Sequence, residues 1–400
     1  MGGSASGARR ATSLGDAFSP SHNSLNFLRL VLALAVVVSH AILLGGFGSH
    51  ELFHRPTTLG MVAVYGFFGI SGFLIASSAS RNTFGRYLWQ RCLRILPGFW
   101  VCLIVTAFGI ALVASWTSNV SARCAPGCFI ATPGGPVSYV LHNFLLWMQQ
   151  LQVSHTPQGI PQTAEWNGSL WSLFYEFLCY LMLGALAVVG LLGRRAVVAL
   201  MAMGLWAVEA LRTAVPHVFG NFSVYAIYRL DYDTDFNFMA MKLLTLTPIF
   251  LAGTLLYLYR DKIPDSGLLA LACGALFSAS LWMPFGGHVN FFSMTSADLF
   301  APFLAYPLLW LGAHLPLQRV GARNDYSYGV YIYAYPVQQL LATWHAQRFG
   351  YWAYLGLSVL GVAPFAAASW WVVEKRALRL KRLDLGARRR STPAASGAPS

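Results

Sequence analysis

Charged side chains are scarce in this sequence, which excludes an ordinary soluble domain. Of its 400 residues, 10% are charged, 56% are hydrophobic and 14% are aromatic, whereas a water-soluble chain carries about 25% charged residues. Apolar runs long enough to cross roughly 30 Å of hydrocarbon recur along the whole chain. These runs are continuous rather than alternating, so a transmembrane β-barrel is excluded as well. The composition therefore predicts an all-α, polytopic membrane helical bundle that folds as one unit.

About ten transmembrane helices are predicted from the apolar runs. They are placed near residues 25–45, 57–79, 96–115, 170–193, 196–211, 239–259, 266–283, 297–315, 326–344 and 352–373. A further apolar stretch, 137–150, is too short to cross and is predicted to be re-entrant or interfacial; a crossing here would invert the downstream orientation. The transmembrane domain is assigned to residues 23–375. Residues 1–22, which carry no signal-peptide pattern, and 376–400, which are basic, are expected to be mostly disordered cytoplasmic segments.

Acidic residues are scarcer than basic ones, and the resulting net charge reflects membrane topology. The chain has 14 Asp and Glu against 27 Lys and Arg, which gives a net charge of +13. With the N-terminus inside, most of these cations fall on cytoplasmic segments, and the positive-inside rule then places both termini in the cytoplasm. The basic tail is expected to lie on anionic lipid headgroups. Because topology explains the charge, no nucleic-acid partner is predicted.

Cysteine is also sparse, and no metal site is predicted. Cys124 and Cys128 flank a Pro-Gly turn in the long outer segment, a spacing compatible with a local disulfide in an oxidising compartment. A zinc site there would need two more ligands, which the sequence does not offer. His50, Glu51 and His54 in the first outer loop likewise lack further ligands at a recognisable spacing.

Polar side chains inside the first two predicted spans are few, so each is a candidate. Arg29 and His40 have only Ser39 as another polar side chain between them. Eleven helical steps of about 100° return to nearly the same face and span roughly 16 Å, and ionisable groups in a bilayer are costly enough to be functional by default. The alternative is an anchoring arginine and a histidine packed between helices. Ser71 lies among small residues, which allow close packing of helices. It is interpreted either as part of that packing or as a residue that lines a cavity.

Glu176 belongs to a polar stripe on the fourth predicted span. Ser169, Ser172, Glu176 and Tyr180 recur at steps of three and four residues, which places them on one helical face. Counted from the outer ends of their spans, Glu176 lies about 9 Å deep and His40 about 7 Å deep. We therefore expect these two side chains to meet in the outer half of the bilayer.

Two arginines before the third predicted span form a candidate anion site. Arg91 and Arg94 are i,i+3 neighbours just ahead of Pro97, so they share a helical face. Clustered guanidinium groups suit phosphate through charge-assisted, bidentate hydrogen bonds. Ordinary positive-inside anchoring is the alternative.

Taken in order, these motifs resemble the acyltransferase-3 family of bacterial integral-membrane acyltransferases, which O-acylate surface glycans. The resemblance covers roughly residues 22–375. The motifs that carry it are Arg29-x10-His40, Phe67-Phe68 with Ser71 to Ile75, Arg91-x2-Arg94 before Pro97, Trp171 to Glu176, and Tyr326 to Tyr331.

The resemblance implies an acyl-CoA donor, usually acetyl-CoA, that is taken from the cytoplasm, and it implies no metal. The phosphates of the donor are expected on Arg91 and Arg94, with Arg29 at the same surface. Its thioester arm would run along the first span toward His40.

The resemblance also implies roles for the remaining candidates. His40 would take the proton of an acceptor hydroxyl or would itself become acylated, and Glu176 would orient it. Four further side chains are expected to line the substrate cavity: Ser71, Trp171, Ser172 and Tyr328.

A bacterial inner-membrane O-acyltransferase acting on a cell-surface or exported glycan is therefore the predicted function. Acylation of a lipid or of a secondary metabolite is the first alternative. A proton-coupled transporter or flippase is the second, since intramembrane Arg, His and Glu would suit proton coupling equally well. That second alternative gives no reason for two arginines beside Pro97.

Overall fold

The computed structural model describes residues 12–48, 57–117, 129–130, 133–214, 235–283 and 296–382. Over these ranges the chain is helical, with isolated β-bridges but no strand. The helices are α1 (Leu14–Ala17), α2 (Leu25–Leu44), α3 (Leu59–Ala79), α4 (Phe84–Thr117), α5 (Pro136–His142), α6 (Trp171–Val188), α7 (Arg195–Ala214), α8 (Asp235–Leu258), α9 (Gly267–Ser280), α10 (Ser296–His314), α11 (Ser327–Thr343) and α12 (Tyr351–Arg379). The prediction of an all-α membrane protein is confirmed.

A helix occupies each of the ten predicted spans. In the described part of the chain, six helices are long and apolar enough to cross a membrane: α2, α3, α4, α6, α10 and α12. The apolar stretches of α8 and α9, Lys242–Leu258 and Gly267–Ser280, are shorter. The count of ten crossing helices therefore stays a prediction.

The third helix begins earlier than the sequence suggested. The prediction started this span at residue 96, where the apolar run follows the arginine-rich segment. In the structure α4 begins at Phe84, after Thr83, and Pro97 lies inside it. Arg91 and Arg94 are thus part of the same continuous helix as the apolar segment, which carries a π-helical turn at Val105–Ile110.

The apolar stretch 137–150 does not cross. Helix α5 has seven residues, or about 10 Å of length, against roughly 30 Å of hydrocarbon. The chain then turns back at Asn143, whose side chain accepts from the backbone N–H groups of Gln149 and Gln150 and donates to the Gln150 carbonyl. Cys124, Cys128 and the His50 to His54 loop lie outside the described residues.

Part of the predicted N-terminal lead is ordered. Ser13 and Asp16 form a capping box around the short helix α1. Leu14 is fully buried, and its backbone N–H donates to the Ile263 carbonyl at 2.9 Å. Burial of one leucine and a capped turn attaches this segment to the bundle. The prediction of disorder remains for residues 1–11, which lie outside the described part.

Helix α3 lies in the middle of the bundle because its small residues allow very close packing. A Cβ atom on Gly72 would lie 1.9 Å from the Phe250 carbonyl oxygen, and one on Gly253 would lie 2.0 Å from the Gly69 carbonyl oxygen. Only glycine permits such backbone approach between α3 and α8. The close approach expected from the second span is thereby confirmed, and α3 presents Ser71 to the interior of the bundle.

Candidate active site

A cavity of about 190 Å³ opens between α2, α3, α4, α6 and α11. Seven of the nine predicted site residues line it: Arg29, Ser71, Arg91, Arg94, Ser172, Glu176 and Tyr328. A water occupies about 30 Å³, and sites that enclose a drug-sized ligand usually measure about 300–1,000 Å³. The cavity therefore has room for the end of a ligand rather than for a whole nucleotide.

Glu176 is held in this cavity by two hydroxyl groups. Ser71 Oγ donates to Glu176 Oε1 at 2.8 Å, and the Tyr180 hydroxyl donates to the same oxygen. Ser71 Oγ also lies 3.1 Å from the Tyr180 hydroxyl. The predicted polar stripe of α6 thus faces the cavity at Ser172, Glu176 and Tyr180.

Arg91 offers the cavity a hydrogen-bond donor that is not in use. Its Nε is buried and has no hydrogen-bond partner among the described residues. Buried polar groups are nearly always paired, so an orphaned donor on a cavity-lining side chain points to a ligand. An anion is the natural partner for a guanidinium group.

Asp325 joins the other two arginines. Its Oδ2 accepts from Arg29 Nη1 at 2.9 Å and also from Arg94 Nη2. Its Oδ1 accepts from the backbone N–H and the hydroxyl of Ser327. Burial alone would raise the pKa of Asp325, but the charges of Arg29 and Arg94 and the Ser327 hydrogen bond outweigh it and hold the pKa well below its usual range. These contacts favour the ionised form of Asp325, which lies beside the cavity-lining Arg29 and Arg94.

These contacts modify the predicted phosphate site. The sequence assigned Arg29, Arg91 and Arg94 alike to the donor. In the structure Arg29 and Arg94 share the Asp325 carboxylate, and Arg94 Nη1 lies 3.8 Å from Glu374 Oε2 as well. Much of their charge is neutralised within the protein, whereas Arg91 keeps a donor for a ligand.

Lys381 is a cavity residue that the sequence did not single out. It belongs to the turn Leu380–Arg382 after α12, and the Trp89 indole N–H donates to the Leu380 carbonyl at 3.2 Å, which holds this turn on α4. Burial, followed by the positive charges of Arg91 and Arg94, lowers the pKa of Lys381 to about 8. Lys381 lies within residues 376–400, which the sequence assigned to a mostly disordered tail, so its place at the cavity could not be predicted.

His40 lies outside the cavity lining. Its ring packs edge-on against Tyr335, with centroids 5.0 Å apart, and its Nδ1 lies 3.5 Å from Ser169 Oγ. The Tyr335 hydroxyl in turn donates to Glu165 Oε1 at 2.9 Å. Both Tyr335 and Glu165 were absent from the predicted site.

The expected contact between His40 and Glu176 is not formed. Among the described residues the partners of Glu176 are Ser71 and Tyr180. Ser169 reaches His40, and Glu176 follows it by about two helical turns. Depth counted from the ends of apolar runs cannot fix helix tilt and register, which neighbouring helices set.

Ser169 nevertheless contacts both the cavity wall, through its backbone, and His40, through its side chain. At the cavity wall, Ser172 Oγ and the Tyr331 hydroxyl are 2.5 Å apart. The Tyr331 hydroxyl also lies 2.8 Å from the Ser169 carbonyl oxygen, to which it donates. The turn at Ser169 therefore contacts His40, and the hydrogen bond from the cavity-lining Tyr331 holds the backbone of this turn in place.

Trp171, the remaining predicted cavity residue, lies elsewhere. Its ring meets the Tyr175 ring edge-on at 5.6 Å, and Lys242 Nζ lies 5.4 Å from its centroid. It starts α6 next to the cavity-lining Ser172 but does not line the cavity itself.

Comparison with known proteins gives a consistent match. The family model Acyl_transf_3, described as an acyltransferase domain, matches residues 22–374. An "O-acetyl transferase" of Shigella phage Sf6 is 28% identical over 363 residues, which cover 89% of this chain and 96% of that protein. "Nodulation protein 10" of Rhizobium leguminosarum bv. viciae is 29% identical over 391 residues, which cover 92% of this chain and 96% of that protein. No solved structure matches the chain significantly.

Proposed function

The chain belongs to the acyltransferase-3 family, and from that premise we propose that it transfers an acyl group from acyl-CoA to a hydroxyl of a cell-surface or exported glycan. That it is a membrane-embedded acyltransferase follows from the family match and the apolar helices. The observation that carries the proposal is the unpaired Arg91 Nε in the same cavity as the Ser71–Glu176 pair. Acyl transfer from an anionic donor requires a group that binds the anion and a group that accepts a proton. Arg91 suits the first role, and the Glu176 carboxylate beside the Ser71 hydroxyl suits the second.

Acetyl-CoA is the proposed donor, taken from the cytoplasmic side. Arg91 and Lys381 supply the cationic groups that suit its phosphates. Because the cavity holds only about 190 Å³, the acyl end and part of the pantetheine arm would enter it, and the nucleotide would remain at its mouth. The family resemblance supports a bacterial inner membrane, and the positive-inside distribution of Lys and Arg supports both termini in the cytoplasm.

The acceptor is proposed to meet His40. Imidazole changes charge near neutral pH, so it is suited to take the proton of an acceptor hydroxyl. In the alternative, the imidazole itself carries the acyl group. The name of the phage relative supports transfer to oxygen. The proposal that the acceptor is a glycan rests on the family resemblance.

Labelled acetyl-CoA and membranes that contain the protein test this proposal. We expect label in the glycan fraction of cells that express the protein and none in a matched deletion strain. Label confined to the lipid fraction, or to a small metabolite, would show that a lipid or a metabolite is the acceptor instead of a glycan. Absence of any transfer from acetyl-CoA would remove acetyl-CoA as the donor.

Substituting Arg91 with glutamine tests the donor site. We expect the KM for acetyl-CoA to rise by roughly 10–100-fold, since a charge-assisted hydrogen bond to a charged ligand contributes about 1.5–3 kcal/mol. The maximal rate should change much less. Arg86→Gln is the matched control, because Arg86 lies on the same helix but is exposed and does not line the cavity. An unchanged KM in Arg91→Gln would contradict the assignment.

The pH dependence of donor binding tests Lys381. Since its pKa is about 8, its ammonium group is mostly charged at pH 7 and loses its charge as the pH rises through 8. We therefore expect the KM for acetyl-CoA to increase between about pH 7.5 and 9. The variant Lys381→Arg keeps its charge over this range and should flatten the profile, and Lys381→Gln should show the high-pH KM throughout. A profile unaltered by both variants would contradict a role for Lys381.

A further inference from the structure

We propose that Ser71 is a catalytic nucleophile that carries the acyl group as an ester between donor and acceptor. The proposal deepens the proposed function and rests on it. Its starting point is that the structure pairs Glu176 with Ser71, at 2.8 Å, and not with His40. Both side chains line the cavity that holds the donor-binding Arg91.

The three side chains have the arrangement of an activated nucleophile. A hydroxyl within hydrogen-bond reach of a base, which is oriented by a third group, is the structural signature of covalent catalysis. Here Ser71 is the hydroxyl, Glu176 the base and the Tyr180 hydroxyl the orienting group. Tyr180 is itself fixed, because the Tyr87 hydroxyl donates to its backbone carbonyl at 2.9 Å.

Helix packing holds this arrangement in place. Ser71 precedes Gly72, whose contact with the Phe250 carbonyl locks α3 against α8. Helix α3 therefore presents the Ser71 hydroxyl from a closely packed element, and the Glu176 carboxylate meets it from α6. A pair held in this way does not have to be assembled when the donor binds.

The transfer then has two balanced stages. Ser71 Oγ attacks the thioester carbonyl carbon, its proton passes to the Glu176 carboxylate, the C–S bond breaks and coenzyme A leaves as its thiolate. The acceptor hydroxyl next attacks the ester carbon and gives its proton to His40. The bond from the acyl carbon to Ser71 Oγ breaks, and Glu176 returns the proton to Ser71. His40 then releases the acceptor proton to water, which balances the charge of the departed thiolate.

A covalent carrier also explains why the predicted catalytic residues form two groups. Ser71 and Glu176 line the donor cavity, whereas His40 does not line it. His40 contacts Ser169, to whose carbonyl the cavity-lining Tyr331 donates. The acceptor hydroxyl would enter at the cavity wall, on the side of the cavity that the Ser169 turn connects to His40. Each group then serves one half of the reaction.

Trapping the acyl-enzyme tests the inference. The full-length protein in detergent is incubated with labelled acetyl-CoA without acceptor, quenched in acid, digested and examined by mass spectrometry. We expect label on Ser71, and a decrease of at least about 100-fold in the label and in the overall transfer rate of Ser71→Ala and Glu176→Gln. The double variant should be no slower than either single variant, because the two groups act as one unit.

Two further variants separate chemistry from folding. Ser78→Ala removes a hydroxyl from the same helix outside the cavity lining, and it should keep full labelling. Ser71→Cys should acquire label as a thioester that hydroxylamine removes. Wild-type transfer without label on Ser71, label on His40 instead, or undiminished transfer by Ser71→Ala would each overturn the inference and leave the proposed function intact. A wild-type protein that neither labels nor transfers would overturn both.

Discussion

Replacing His40 with alanine is expected to lower the rate of acyl transfer to the acceptor by roughly 10²–10⁴-fold. This is the range that a positioned general base contributes. The ring is positioned by the edge contact with Tyr335 and by Ser169 Oγ at 3.5 Å, and alanine removes both contacts along with the proton acceptor. The measurement is the initial rate of label transfer from acetyl-CoA to glycan. Undiminished transfer would exclude His40 from catalysis.

Two comparisons distinguish a catalytic from a structural role for His40. His40→Gln retains a polar group that can contact Ser169 but cannot take a proton, so it should be as inactive as His40→Ala and should match the wild-type thermal midpoint more closely. His22→Ala is the control, because His22 is exposed ahead of α2, and its rate should be that of the wild type. In His40→Ala, acylation of Ser71 without acceptor should persist, since His40 acts only in the second stage.

The helices could be predicted from the sequence because hydrophobicity alone defines them. Continuous apolar runs fix where the chain is helical, and a helix is found in every predicted span. The ends of a helix could not be predicted where a polar part of the helix continues beyond the apolar run. Helix α4 begins at Phe84, and its first turns carry the exposed Arg86, so hydropathy missed them.

The lining of the cavity could be predicted where residues share one helix. The i,i+3 spacing of Arg91 and Arg94 and the stripe through Ser172, Glu176 and Tyr180 follow from helical periodicity, and all five side chains line the cavity. Local periodicity says which residues share a face. It does not say which face of which other helix they meet.

The partners of these residues could not be predicted for that reason. Arg29 pairs with Asp325 across 296 positions of sequence, and Ser71 pairs with Glu176 across 105. A signal for the first pair was present: two arginines near the bilayer require a counter-ion, acidic residues are few, and Asp325 directly precedes the Tyr326 motif. Lys381 had no such signal, because its place depends on how the end of α12 packs on α4.

The structure divides positive charge at the cavity into two kinds, and this has a consequence for Asp325. Arg29 and Arg94 are compensated within the protein, whereas Arg91 and Lys381 face the cavity without a described carboxylate partner. Compensated arginines join α2 and α4 to the loop before α11. Asp325 should therefore matter to stability, and donor binding should depend mainly on the other two cations.

Replacing Asp325 with asparagine is expected to destabilise the protein strongly. The substitution leaves Arg29 without its carboxylate partner and Arg94 with Glu374 alone, at 3.8 Å. Breaking a buried ion pair in this way costs about 3–5 kcal/mol. The thermal midpoint in detergent should fall by roughly 5 °C or more. Asp261→Asn is the matched control: Asp261 is 60% exposed and lies 3.6 Å from Arg260 Nε, and an exposed pair contributes little.

The KM of the same variant decides what Arg29 and Arg94 do. If these two arginines serve mainly as structural partners of Asp325, its loss adds positive potential to the cavity, and the KM of folded Asp325→Asn for acetyl-CoA should not rise. A rise of about tenfold or more would instead mean that Asp325 positions Arg29 and Arg94 on the donor phosphates. In that case Asp325→Asn combined with Arg94→Gln should bind the donor no more weakly than Arg94→Gln alone, because the two changes would remove one interaction.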